Sequence, residues 1–158
     1  MSKFAASLAV ATVLLSASAI AETAKPTVVL VHGAFADSSS WNGVTRILQK
    51  DGYIVVAAAN PLRSVSGDAA YVSSVVNNIK GPVVLVGHSY GGQVITNAAR
   101  DTNNVKSLVY VAAFAPDAGE AAADLAGKFP GGTLGQALAT PVKLADGSVA
   151  RSSGRAKF

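Results

Sequence analysis

Residues 83–94, VVLVGHSYGGQV, run four apolar side chains into a serine with glycine two positions before and two after it, and then into a helical pattern. The apolar part has the composition of a buried strand. Gly87, Ser89 and Gly91 fit G-x-S-x-G, the corner on which a serine is carried between a strand and a helix. Side chains at the two flanking positions would collide on so sharp a turn, and glycine removes them. Gly92 lets the helix lie close to the strand. Ser89 should then project its hydroxyl from the carboxyl end of the strand, at the start of a helix whose amides favour developing negative charge. It is the candidate nucleophile.

A second turn supports the first. VHGAF, residues 31–35, ends another apolar strand with glycine and an exposed turn, where the other half of an oxyanion hole belongs. The expected donors are the amide of Tyr90 and the amide of Ala34 or Phe35. Losing one such donor typically costs about 2.7–4 kcal/mol of transition-state stabilisation. Phe35 is also a candidate pocket residue, whereas Trp41 has the spacing of a core residue.

From residue 25 onward short apolar runs alternate with longer amphipathic ones, the pattern of an α/β fold with a parallel sheet and helices on its faces. Strands are expected at 27–33, 53–60, 82–87 and 105–114, and helices at 41–52, 67–81 and about 91–100. Trp41, Val44, Ile47 and Leu48 should share the buried face of the first helix, and Ala69, Val72, Val76 and Ile79 that of the second. Beyond Pro116 the periodicity fades into an Ala- and Gly-rich segment with room for two short helices. The length suits one domain.

VHGAFADSSSWNGV, GHSYGG and VYVAAFAPD, in that order and at these separations, resemble the α/β-hydrolase superfamily. Within it the chain is most similar to small bacterial esterase-like hydrolases, themselves similar to plant methylesterases and hydroxynitrile lyases. The resemblance covers about residues 27–140. It implies an α/β-hydrolase fold, with 27–33 as the family's third strand, Ser89 as the nucleophile after its fifth, and the amides of Ala34 and Tyr90 as the oxyanion hole. It also implies cleavage of a small ester without a cofactor, by a serine, an acid and a histidine in that chain order.

Two histidines are present, His32 and His88, and neither follows the serine. His88 should point away from its neighbour's hydroxyl and serve packing, and His32 should shape the His-Gly turn. Asp117 is a candidate acid after the strand at 105–114, although its APDAGE setting suits a turn residue; Asp124 and Asp146 have weaker claims. The family's last two strands have no counterpart before Phe158. The expected sheet is therefore partly open with its last strands missing, its apolar strand at 105–114 left as an edge, and turnover by this chain is expected to be impaired for want of a base. The other reading is a non-catalytic fragment that keeps the pocket and binds an apolar ligand.

Composition bounds the rest. Residues 1–21 have a lysine near the start, a short apolar run and small residues ending at Ala21, which reads as a secretory signal peptide and a secreted or periplasmic product. No later segment has the roughly 20 apolar residues of a membrane span. With no cysteine, disulfides and thiolate ligands are excluded. The formal net charge of +4 suggests a nucleic-acid partner only until the charges are located. Lys3, Arg151, Arg155 and Lys157 carry the excess at the two chain ends, and between 22 and 150 the charges balance. Neither G-x-G-x-x-G nor G-x-x-x-x-G-K-[ST] occurs, which argues against a nucleotide site, and two separated histidines make no recognisable metal set. Residues 146–158 are basic, Ser- and Gly-rich and without apolar pattern, as in a disordered or out-of-frame tail.

Overall fold

The computed structural model describes residues 25–152, so the expected signal peptide and residues 153–158 of the tail lie outside it. Four strands, β1 (Thr27–Val31), β2 (Val55–Ala58), β3 (Val83–His88) and β4 (Val105–Val111), form one parallel sheet in the order β2-β1-β3-β4. Each expected strand exists; β1, β2 and β4 are shorter than their apolar runs, and β3 is shifted by one residue to include His88. His32 and Gly33 leave β1 to make the next turn, and residues 112–114 leave β4.

The strand order positions the site. From β1 the chain moves outward through α1 (Asn42–Lys50) to β2, then returns over β1 through α2 (Val65–Asn77) to β3. Right-handed crossovers in opposite directions put α1 and α2 on opposite faces. The loops after β1 and β3 therefore diverge, opening a crevice at their carboxyl ends, where open α/β sheets bind ligands.

Two apolar layers hold the sheet. On one face Val29, Val31 and Leu85 pack with Val72 and Val76 of α2 and with Val94 and Ile95 of α3 (Tyr90–Ala98). Each fully buried valine there contributes about 1.5–3 kcal/mol. On the other face Val28 and Leu30 pack with Trp41, supported by Leu48 and Val55. The second helix starts earlier than its apolar pattern suggested because Ser64 caps it, its Oγ accepting from the Gly67 N–H at 3.1 Å. It stops at Asn77, and Ile79 still reaches the core from the following turn.

The first helix corrects the sequence reading. Trp41 is buried in the 3-10 turn Ser38–Trp41, but Val44 is exposed and Ile47 stands at 63 %. Helix α1 leans on the outer half of the sheet through Leu48, so the rest of its apolar stripe has no surface to meet. On that side of the sheet Val109 and Val111 of β4 are also exposed, at 42 % each. Beyond Pro116, α4 (Ala122–Lys128) and α5 (Leu134–Ala137) are the two short helices expected. Strands β5 (Val142–Lys143) and β6 (Val149–Ala150) then make a hairpin at a place that offered no apolar pattern. Its turn is local chemistry: Asp146 Oδ1 accepts from the Ser148 N–H at 2.9 Å, and Gly147 takes φ 82°.

Candidate active site

Ser89 stands between β3 and α3 with φ 53° and ψ −122°, a conformation unfavourable for a residue with a Cβ. Its surroundings over-determine it. The Ser89 carbonyl accepts from the Gly92 and Phe114 N–H groups, both at 3.1 Å, and its own N–H donates to the Val111 carbonyl at 3.4 Å. The glycines answer a steric need. A Cβ on Gly87 would lie 2.5 Å from the Gly91 carbonyl oxygen, one on Gly91 would strike the Val31 carbonyl, and one on Gly92 would strike that of Phe114. Thus Gly91 seats the corner on the end of β1, and Gly92 seats α3 on the segment after β4.

The β1 turn reaches the same point. A Cβ on Gly33 would lie 3.1 Å from Ser89 Cβ, so the His-Gly backbone passes directly beside the serine. A turn from Gly33 to Ala36, closed by a 3.3 Å backbone bond, then carries Ala34 and Phe35 over the crevice. Ala34, Phe35 and Tyr90 line one cavity of about 480 Å³, with Leu62, Val65 and Val149 among its other walls. The amide of Tyr90, first in α3, has no acceptor within its own helix.

The two histidines are engaged elsewhere. His32 is buried, its Nδ1 2.9 Å from the Gly33 carbonyl oxygen. The exposed His88 ring meets Trp41 edge-on, centroids 6.3 Å apart. Asp117 is exposed in a turn whose backbone N–H donates to Glu120 Oε2 at 2.9 Å. It lines a separate hollow with Gln93, Arg100 and Glu120. The structure thus brings Ser89 to the turn of Ala34 and Phe35 and groups these two with Tyr90, while Asp117 faces another cavity. Among the described residues the Ser89 hydroxyl meets no histidine or carboxylate hydrogen-bond partner, and no group of three or more potential ligands could hold a metal ion.

One residue was missed from sequence. Asp68 is fully buried in the first turn of α2. Its Oδ2 accepts from the Tyr90 hydroxyl at 2.7 Å and its Oδ1 from the Arg63 N–H at 3.1 Å. Burial, and then the Asp68 carboxylate, push the Tyr90 phenol well above the ordinary tyrosine range. The signal was its place four residues before Val72 and eight before Val76, on the buried stripe of the helix.

A serine corner joined to a glycine turn at the carboxyl ends of adjacent parallel strands is distinctive geometry, and comparison with known proteins agrees. The model of the alpha/beta hydrolase family matches residues 28–155. The chain belongs to that family. A carbendazim hydrolyzing esterase from Nocardioides sp. (strain SG-4G) is 33% identical over 58% of this α/β-hydrolase and 43% of its own length. An extracellular alpha/beta-hydrolase from a Paenibacillus species superposes with a TM-score of 0.53 at 25% identity, over 58% of this chain and 42% of that one. Polyneuridine aldehyde esterase gives 0.67 at 17% identity, over 82% and 59%, and shares the fold. This α/β-hydrolase chain therefore spans about two-fifths of the curated relative and of the Paenibacillus protein.

Proposed function

We propose that this chain carries the nucleophilic half of a serine carboxylesterase that cleaves a small ester through an acyl-enzyme on Ser89. The observation that carries the reading is the strained Ser89 held against the Gly33 turn, at the crevice of the sheet. In this mechanism Ser89 Oγ attacks the acyl carbon, and the amides of Tyr90 and of Ala34 hold the oxyanion of the tetrahedral intermediate. Its collapse expels the alcohol, and water then cleaves the acyl-enzyme. Phe35, Leu62 and Val65 give apolar walls that suit a small acyl or alcohol group, and Arg63 and Arg151 line the same cavity. The esterase named among the relatives supports ester cleavage, and the extracellular neighbour supports export by the leader at 1–21. No helix among the described residues is long and apolar enough to cross a membrane.

Attack by the serine and later by water each needs a base, and departure of the alcohol needs the proton that base has taken; neither histidine of this chain is hydrogen-bonded to the serine. That observation favours the second reading, a pocket that binds an apolar ligand without turnover. Asp117 serves as the acid only if the segment after β4 carries it toward Ser89. A fluorophosphonate decides between the two: Ser89 Oγ displaces fluoride from phosphorus only if it is reactive. Labelling that disappears in Ser89→Ala supports the esterase; no labelling of folded protein supports the binder. Slow ester turnover alone decides nothing, because binding and an oxyanion hole can leave about 10³–10⁴ over water.

A further inference from the structure

Asp68 has no part in the chemistry just described, yet it is fully buried and its carboxylate touches two walls of the 480 Å³ cavity. One oxygen accepts from the Tyr90 hydroxyl at 2.7 Å, and the other from the Arg63 N–H at 3.1 Å. Burying a carboxylate is expensive unless it is fully hydrogen-bonded, so a surface-directed fold would have placed an apolar residue at this point of the α2 stripe. The first turn of α2 lowers the cost, since the helix start favours negative charge.

Both donors belong to strained segments of the site. Tyr90 follows Ser89, whose φ is 53°, and Arg63 follows Leu62, whose φ is 58° and which also lines the cavity. Two non-glycine residues in left-handed conformations need neighbours that hold them there. Asp68 is bonded to the residue after each one.

We propose that Asp68 is a positioning residue, which clamps the Tyr90 side chain so that the Tyr90 amide is held at the angle an oxyanion requires, and which fixes the Leu62 wall at the same time. The proposal rests on the serine-hydrolase reading, because the amide matters only if Ser89 reacts. The Tyr90 hydroxyl is bonded to the buried Asp68 carboxylate, so Tyr90→Phe removes that bond and leaves the backbone amide in place.

The test uses the whole chain and a fluorophosphonate, separating the maximal rate of Ser89 phosphonylation from the affinity of the unreacted complex. Tyr90→Phe deletes one oxygen; Asp68→Asn leaves one acceptor for two donors. Each is expected to slow the maximal rate about tenfold through misdirection of the amide, less than the loss of a donor outright. Because Tyr90 also lines the cavity, the discriminating readout is the ratio of the two effects: Tyr90→Phe should lower the maximal rate by a larger factor than the affinity of the unreacted complex, whereas a merely structural role would lower both alike. In the double variant the rate should fall no further than in the slower single variant, since both changes cut the same link.

Wild-type rates in the single variants, or effects that multiply in the double variant, overturn the proposal. If Asp68→Asn does not fold, Tyr90→Phe decides by itself. Ultraviolet titration of the tyrosines in the same samples separates the two possible failures. A reactive wild-type chain in which neither variant changes the rate removes the role of Asp68 alone. An unreactive wild-type Ser89, in a protein where Tyr90 still titrates high and Asp68→Asn lowers it, removes the serine-hydrolase reading and this role with it.

Discussion

The backbone of Gly91 lies against the carbonyl of Val31 so closely that one added methyl would strike it. This contact seats the serine corner on the end of the neighbouring strand. Gly91→Ala is expected to destabilise the chain by at least the roughly 1–3 kcal/mol typical of overpacking, because the obstacle is backbone. Gly43→Ala is the internal control. Gly43 lies in α1 with nothing within 4 Å of an added Cβ, and the substitution should stabilise by about 0.5–1 kcal/mol. Urea midpoints with unchanged slopes read both.

Ser89→Gly should raise stability while abolishing phosphonylation. Glycine adopts φ 53° without the penalty that a side chain incurs there, and the relief is expected to be about 1 kcal/mol or more. A glycine variant no more stable than Ser89→Ala would show that the corner stores no strain.

Leu85 and Val109 sit on adjacent strands but differ in burial, at 0 % and 42 % exposed. Leu85→Ala should cost about 2–5 kcal/mol, the range for a core leucine that leaves a cavity. Val109→Ala should stay within about 1 kcal/mol. Thermal melts of the two variants side by side give the comparison directly.

Strand β4 pairs only with β3 in the described sheet and presents Val109, Tyr110 and Val111 to solvent. An exposed apolar edge of this kind recruits other strands. Sedimentation velocity should show association that grows with concentration, and Val109→Lys should reduce it. A monomer with a sharp, concentration-independent melt would contradict this expectation.

Tyr90 sets an alkaline limit. Its folded phenol titrates well above the ordinary tyrosine value of 10.0, while the unfolded chain loses that proton near 10. Stability from this group is therefore complete below about pH 10 and declines as pH rises beyond it, because the folded state then holds the proton that the unfolded state releases. Tyr90→Phe should flatten the stability curve above pH 10 relative to wild type. Equal slopes in urea titrations across that range would exclude the effect.

The amino-acid sequence by itself determined the alternation of strand and helix, the serine corner and its glycines, and the turn that carries Ala34 and Phe35. Apolar period, turn chemistry and motif spacing act within a few residues, so Gly87, Ser89 and Gly91 are legible as a pattern, although the obstacle that Gly91 avoids, the Val31 carbonyl, comes from the neighbouring strand. The Asp146-Gly147 hairpin was equally local, and passed unseen because two-residue strands carry too little apolar pattern to register.

What α1 buries was decided by tertiary structure, since a stripe such as Val44 and Ile47 is buried only where a surface exists to receive it. The same holds for His88, whose ring meets Trp41 of the turn that follows β1. Asp68 shows the rule most sharply. A carboxylate on an apolar stripe is tolerable only when donors converge on it: the Arg63 N–H, 5 residues back, is local, but the Tyr90 hydroxyl, 22 residues on, meets it only once α2 and α3 have packed on the same face of the sheet.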